Sequence, residues 1–346
     1  MAEDRVRVGL VGYGLAGATF HAPLIRACPR LQLSAIQTSR EAPMRVDSFD
    51  ELLDRSDLVV IASPNQTHFP LARLALDAGK HVVVDKPFTV AIDEADALIA
   101  LASERQRVLT VFQNRRLDGD FLTVRKFLPR LGDVSLFEAN WDRFRPGIKQ
   151  GWRERPEPGA GVLADLGSHL IDHALQLFGL PDAIQADVLA QRTEAVVDDY
   201  FELTLHYGRM RACLRCSTLA AEARRRFAVH GSGGSFVKFG VDVQEAQLKS
   251  GMDPRSPEFG VDERDGIFTD PDGNRTPVPT ERGRYLDFYD AVASAILDGT
   301  PAPVDPSDSR NGLMLIDLAR RSSALGQRLT VPGKQGSVPG ASSPGA

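Results

Sequence analysis

The chain has 346 residues, 42% of them hydrophobic and 25% charged, and a formal net charge of −5, the balance of an ordinary globular protein of about two domains. That acidic balance excludes a surface built to neutralise nucleic-acid phosphates, and no apolar run approaches the roughly 20 residues that span a bilayer. Three cysteines, Cys28, Cys213 and Cys216, are too few for a disulfide framework and suit a reducing compartment.

The first ten residues, MAEDRVRVGL, carry no basic leader and no long apolar segment, so a cytoplasmic location is expected. A strand is predicted over 6–11, followed by a glycine-rich turn and a helix reaching Pro29. Further strands are predicted at 31–39, 57–62, 81–84 and 107–114, with helices around 48–55, 67–78 and 91–105 between them. These strands are continuously apolar rather than alternating, as strands buried on both faces are, so the first part reads as a doubly wound parallel α/β sheet over 1–118.

The pattern then changes. A helix over 118–130, an extended run at 134–144, a Pro/Gly-rich loop at 145–161 and a helix over 164–178 lead into alternating strands at 183–192, 199–207, 209–218, 224–231 and 235–240. An irregular excursion is expected over 250–283, then helices near 284–298 and 307–327. Residues 119–332 therefore read as an α+β domain with a large, mostly antiparallel open sheet, and the composition of 333–346 is that of a disordered tail. Cys213 and Cys216 fall three apart in a strand, on opposite faces, and are expected to form neither a redox pair nor a metal site. The triplet Arg224-Arg225-Arg226 is expected to be a solvated strand end or loop, with an anion-binding patch as the minor reading.

Five stretches carry chemistry. Gly12-Tyr13-Gly14-Leu15-Ala16-Gly17 has the G-x-G-x-x-G order, placed between a predicted strand and helix, where it lets the backbone approach a pyrophosphate at a helix N-terminus. The second strand ends in Thr38-Ser39-Arg40 with no carboxylate before Glu41. Hydroxyls followed by a guanidinium suit a 2′-phosphate, so NADP is expected in preference to NAD. Ser63, Pro64 and Asn65 follow another parallel strand and are placed to line the cofactor; His68 can join them or cap the next helix. Lys86 stands at the carboxyl end of the strand 81–84, held extended by Pro87, where its ammonium can meet a substrate oxygen or the nicotinamide ribose.

In the fifth stretch, GVLADLGSHLIDHALQL, helical spacing puts Asp165, His169 and Asp172 on one face, as an acid/base group; no further cluster supplies the ligands of a metal site. His173 and Asp172 also fit as satisfied polar residues at a domain seam. His21, just past the glycine motif, is left open between cofactor contact and packing.

These motifs, G-Y-G-x-x-G, S-P-N-x-x-H, A-G-K-H-V-x-x-D-K-P and D-x-G-x-H in this order, resemble the glucose-fructose oxidoreductase and inositol dehydrogenase (Gfo/Idh/MocA) family over about residues 5–330. The resemblance implies a Rossmann domain, a second domain whose open sheet forms a homodimer or homotetramer interface, Lys86 as active-site lysine and Asp165 and His169 as the catalytic pair. Asp85 stands where the family usually has Glu. NRRLDGDF, RFRP, WRE and DLGSHLIDHALQLFG are similar to an NADP-dependent inositol dehydrogenase subgroup, which implies a cyclic polyol or sugar substrate. Arg116, Arg143, Arg145, Trp152 and Arg153 are then expected to border the substrate. A dehydrogenase for aldoses or sugar derivatives, or a carbonyl reductase, is the enzymatic alternative, and a non-catalytic NADP-binding regulator is the alternative of another class.

Overall fold

A computed structural model describes residues 5–148, 151 and 154–333. Trp152, Arg153 and the tail beyond Gly333 lie outside the described residues.

The first sheet grows from β1 (Val6–Val11), which passes through a π-type turn (Ala16–His21) into α1 (Ala22–Ala27). There follow β2 (Leu31–Gln37), β3 (Arg45–Val46), α2 (Phe49–Asp54), β4 (Leu58–Ile61), α3 (His68–Asp77), β5 (His81–Val84), α4 (Ile92–Glu104) and β6 (Leu109–Val111). All pairings are parallel, in the order β3-β2-β1-β4-β5-β6. Order reverses beside β1, so the loops leaving β1 and β4 diverge and open a crevice at the carboxyl edge. All four residues of β4 are buried, as their unbroken apolar run requires.

The second sheet belongs to the rest of the chain. It comprises α5 (Gly119–Phe127), β7 (Val134–Asn140), a π-type turn (Leu163–Gly167) running into α6 (Ser168–Phe178), β8 (Ala183–Leu189), β9 (Tyr200–Tyr207), β10 (Met210–Ser217), β11 (Phe227–Gly231) and β12 (Gly234–Lys238). Then come α7 (Gln244–Lys249), β13 (Gly266–Thr269), β14 (Arg275–Val278), α8 (Tyr285–Leu297), α9 (Pro306–Leu325) and β15 (Leu329–Thr330). Nine strands lie in the order β14-β13-β12-β11-β7-β10-β9-β8-β15, antiparallel throughout except where β7 meets β10. Alternation along β10 buries Ala212, Leu214 and Cys216 under the helices and leaves Arg211, Cys213 and Arg215 half-buried on the other face, so the two cysteines point apart.

Two expectations need correction. The segment 250–283 is not irregular throughout: β13 and β14 form a hairpin that extends the sheet from β12, closed by Asp270, whose carboxylate accepts the Asn274 amide at 2.8 Å. The triplet of arginines is not a solvated strand end as a whole. Arg224 pairs with Asp142 at 2.6 Å, while Arg226 is fully buried, 3.4 Å from Asp120. Short elements without a full period of apolar residues, β3, α7 and β15, have no counterpart among the predicted ones.

The two sheets do not stand apart. Helix α8 packs Tyr285, Phe288, Tyr289 and Val292 into the same apolar core as β1, β4 and β5, so the late helix closes the core of the early sheet. Helix α9, capped by Asp305, whose side chain accepts the Ser307 amide, lies against β8 and α6 and ties to α4 through Arg310 and Asp96 at 2.9 Å. Among the described residues no helix is long and apolar enough to cross a membrane.

The edge of β5 carries a titratable group. Burial, with help from nearby Arg107, lowers His81 to about 4, and its Nδ1 accepts the Val108 amide at 3.0 Å. A folded-state value below the ordinary 6.5 means this contribution to stability is present above pH 6.5 and lost as pH falls towards 4. His81→Gln keeps an acceptor and cannot protonate. Urea titrations at pH 7 and 5 should therefore show wild type losing on the order of 1 kcal/mol more than the variant, allowing for the partial exposure of the ring; equal losses would refute the assignment.

Candidate active site

The glycine turn is built as a close-approach device. Gly12 has φ +91°, and a Cβ there would stand 2.5 Å from the Ala62 carbonyl oxygen; one on Gly17 would stand 2.0 Å from the Gly12 oxygen. Only glycine lets the turn lie this close to β4 and to itself. A Cβ on Gly14 would meet nothing within 4 Å, so the turn is open to a ligand on that side. Leu15 and Ala16, at the start of the helix, line a cavity of about 320 Å³ between the two sheets, while Tyr13 packs on the core. The residues present thus fit a dinucleotide whose phosphates meet the free N–H groups of a helix start.

The Gly12 amide donates to the Gln37 carbonyl at 2.9 Å, which sets the end of β2 beside the turn. Thr38, Ser39 and Arg40 follow directly: Thr38 Oγ1 accepts the Arg40 amide at 3.1 Å, and Ser39 and Arg40 are exposed. At the end of β4, Ser63 and Thr67 share a hydrogen bond of 2.6 Å, Pro64 is exposed, and Asn65 is buried against the loop at Gly159. His68 spans two loops, with Nδ1 2.8 Å from the Pro87 carbonyl and Nε2 3.0 Å from that of Ser63. Its ring fixes the loop that carries Lys86 and does not reach the cavity wall.

Lys86 leaves β5 through a cis peptide to Pro87. Its Nζ donates to Asp165 Oδ1 at 2.7 Å and to the Asp165 carbonyl at 2.8 Å, which occupies two of the three ammonium donors and leaves one for the cavity. Asp165 sits in the π-type turn before α6, and His169 lies in the first turn of that helix. His169 is 4% exposed; its Nδ1 is buried without a hydrogen-bond partner among the described residues, and its ring centroid lies 5.9 Å from that of Trp141. Burial first, then the charges of Lys86 and Arg115, hold its pKa well below the ordinary histidine range, so the imidazole is neutral at pH 7.

Asp172 does not share this site. A π-type turn holds an extra residue, so the phase between Asp165 and Asp172 is not that of an unbroken α-helix. Asp172 turns instead to Arg116, which grips it at 2.6 and 2.8 Å and reaches Asp308 at 3.0 Å. Arg116 is therefore a buried tie between α6 and α9 and does not border the cavity. Its neighbour Arg115 does, bound to Glu245 and to the Tyr285 hydroxyl at 2.9 Å. His173 is a seam residue: Nε2 lies 3.0 Å from the Arg115 carbonyl and the ring stacks on Phe121.

Several wall residues were not singled out from the sequence. Trp141 lies under the guanidinium groups of Arg226 at 4.3 Å and Arg115 at 4.9 Å. Glu245 and Lys249, four apart on α7, form one ion pair at the rim. His21 reaches the cavity wall as well as packing: Nδ1 is 2.6 Å from the Tyr289 hydroxyl, and Nε2 is 3.8 Å from Asp85 Oδ2, an ion-pair separation rather than a hydrogen bond. Burial favours the protonated Asp85 carboxyl, but His21, His68 and Lys86 outweigh it and its pKa is lowered. Arg143 and Arg145 line the same cavity. Among the described residues no cluster of three or more His, Cys, Asp or Glu side chains could hold a metal ion.

A crevice at the carboxyl edge of a doubly wound sheet, with a glycine turn at one end and a lysine and a neutral histidine at the other, defines a dinucleotide-dependent oxidoreductase. Residues 6–113 match the model of an oxidoreductase family's NAD-binding Rossmann fold, and residues 129–331 match its C-terminal alpha/beta domain; the chain belongs to the Gfo/Idh/MocA oxidoreductase family and binds a nicotinamide cofactor. It is 43% identical to the Escherichia coli oxidoreductase YdgJ over 93% of this chain and 97% of that one. It is 36% identical to IolW of Bacillus subtilis, a scyllo-inositol 2-dehydrogenase (NADP(+)), over 92% and 94%. The solved structure of the oxidoreductase YPO2259 from Yersinia pestis superposes with a TM-score of 0.92 at 42% identity, over 96% of this chain and 99% of that one.

Arg116→Ala would leave Asp172, 4% exposed at its side chain, without its bidentate partner. Urea denaturation should show a loss of about 3 kcal/mol with the KM for substrate little changed. A raised KM in a variant of native stability would place Arg116 at the substrate after all.

Proposed function

We propose that the protein is an NADP-dependent dehydrogenase for a secondary alcohol on a cyclic polyol or sugar. The observation that supports this most is the convergence of Lys86, Asp165 and the neutral His169 on one cavity wall that continues to the glycine turn. When bound, the nicotinamide supplies the two-electron redox partner for the alcohol carbon.

The chain's own residues handle the proton and the developing charge. A neutral imidazole can accept the hydroxyl proton in oxidation and return it in reduction, and a depressed pKa keeps it neutral throughout the physiological range. The free donor of Lys86 faces the same oxygen and stabilises negative charge as it forms. Asp165 holds the ammonium by two contacts and so fixes its direction. The guanidinium groups, Trp141 and the carboxylates around the cavity offer the dense donors and acceptors that a polyhydroxylated ring needs. Trp152 and Arg153, expected from the sequence to border the substrate, lie outside the described residues.

The preference for NADP rests on the half-buried Thr38 and the exposed Ser39 and Arg40 beside the glycine turn, and on the NADP(+) named for IolW. An assembly through the second sheet is supported by its outer face, where Glu202, Thr204, Arg211 and Arg215 are half-buried and, among the described residues, no layer of helices covers them; a homodimer, or a homotetramer built from it, would cover that face. Three free cysteines suit the cytoplasm.

Lys86→Ala and His169→Ala should each reduce kcat by about 100-fold or more while the Kd for NADPH, read by fluorescence titration, changes little. Full turnover by either variant would sink the mechanism, and turnover of no polyol, aldose or keto form by wild type would favour a non-catalytic role. Arg40→Ala should raise the KM for NADP about tenfold and leave that for NAD unchanged; a wild-type preference for NAD would remove the assignment.

A further inference from the structure

The charges around the cavity do not balance. Each carboxylate in the wall is engaged: Asp165 holds Lys86, Glu245 binds both Arg115 and Lys249, and Asp85 faces His21 while accepting the Lys86 amide. Arg143 and Arg145 line the same cavity, and among the described residues neither guanidinium has a carboxylate at ion-pair distance.

Their placement is built, not incidental. The Arg143 amide donates to the Ser217 carbonyl at 2.9 Å and the Arg145 amide to that of Thr218 at 2.7 Å, so the segment runs extended along the end of β10. Phe144, bridged to Leu219, stands between them with its ring exposed. In an extended chain residues two apart share a face, which turns both guanidinium groups to the cavity side. Arg143 lies 5.8 Å from the Trp141 ring centroid, on the wall that also presents His169. Burial, then the repulsion of Arg145, lowers the Arg143 pKa against the weaker pull of Asp165 and Glu245.

Resting on the dehydrogenase reading above, we infer that the substrate is an acidic sugar or polyol, whose carboxylate or phosphate is bound between Arg143 and Arg145 while its ring lies towards Lys86 and His169. A guanidinium fork matches either anion, and an anion there supplies the counter-charge that the described residues do not. On the same reading the dinucleotide's phosphates have their own place at the glycine turn and beside Thr38–Arg40 at the end of β2.

Matched sets test this: glucose against glucuronate and glucose 6-phosphate, and myo-inositol against its 1-phosphate, each with NADP. Wild type should favour an acidic member over its neutral partner by tenfold or more in kcat/KM, and the preferred acid tells carboxylate from phosphate. Arg143→Met should reduce that ratio by about 10–100-fold, and Arg143→Lys, which keeps the charge, should retain much of it. Preference for the neutral members overturns the inference, as does an equal loss on both kinds in Arg143→Met. A rise in the Kd for NADPH that accounts for the whole loss would also overturn it and assign the guanidinium to the cofactor. If no sugar is turned over, calorimetry on the NADP-loaded enzyme decides: saturable binding of glucuronate or glucose 6-phosphate that Arg143→Met abolishes supports it, and no binding refutes it. Failure of the redox reading is seen separately, in the absence of NADPH formation with every sugar.

Discussion

The contact between Lys86 and Asp165 joins the two halves of the molecule at the point where chemistry is expected. Lys86 ends a strand of the first sheet, Asp165 begins a helix over the second, and the ammonium meets both the carboxylate and the carbonyl of the same residue. Neither side chain is fully buried, at 17% and 22% exposed, so the pair avoids the full desolvation penalty of a core ion pair yet is shielded enough to hold its geometry. That compromise keeps one ammonium donor directed at the cavity.

Behind this pair stands a buried polar shell that gives the wall its rigidity. The Tyr285 hydroxyl joins Arg115 to Asp118, which accepts from it at 2.6 Å, and Arg226 lies between Asp120 and the Trp141 ring. Burial pushes the Asp118 carboxyl well upward despite Arg115, and pushes the Arg226 guanidinium downward. Such groups are costly to bury unless each keeps its neighbours, so displacement of one is felt by the others. Helix α8 ties this shell to the first sheet: Tyr285 enters the shell, and Tyr289, one turn on, meets His21 beside Asp85.

How far the chain could be read depended on the range of the interaction concerned. Continuous apolar runs placed β1, β4 and β5 within a residue or two, because a strand buried on both faces has no freedom in its composition. The glycine turn was legible because Gly12 and Gly17 are forbidden a Cβ by contacts only a few residues away or on the adjoining strand. Arg115 and Arg116 show the opposite case. Adjacent and chemically alike, they take a cavity wall and a helix–helix tie respectively, and the choice is made by Glu245 and Asp172, distant in sequence. Arg226 likewise looked like part of a solvated triplet until β7 and β11 brought Asn140 and Trp141 against it. Asp172 was misplaced for a local reason, since a single π-type turn changes the helical phase and leaves no signature in hydrophobic spacing.

The two kinds of sheet, the dinucleotide turn and the candidacy of Lys86, Asp165 and His169 were readable from the residues alone, because they depend on local periodicity, on glycine sterics and on residue types next to strand ends. Folding alone set which polar groups share a cavity, that His169 is buried and neutral, that His21 joins Tyr289 and Asp85 at the wall, and that Arg143 and Arg145 face it with no carboxylate at ion-pair distance among the described residues. Those outcomes depend on desolvation and on charges brought together from distant parts of the chain, and neither quantity exists until the chain has folded.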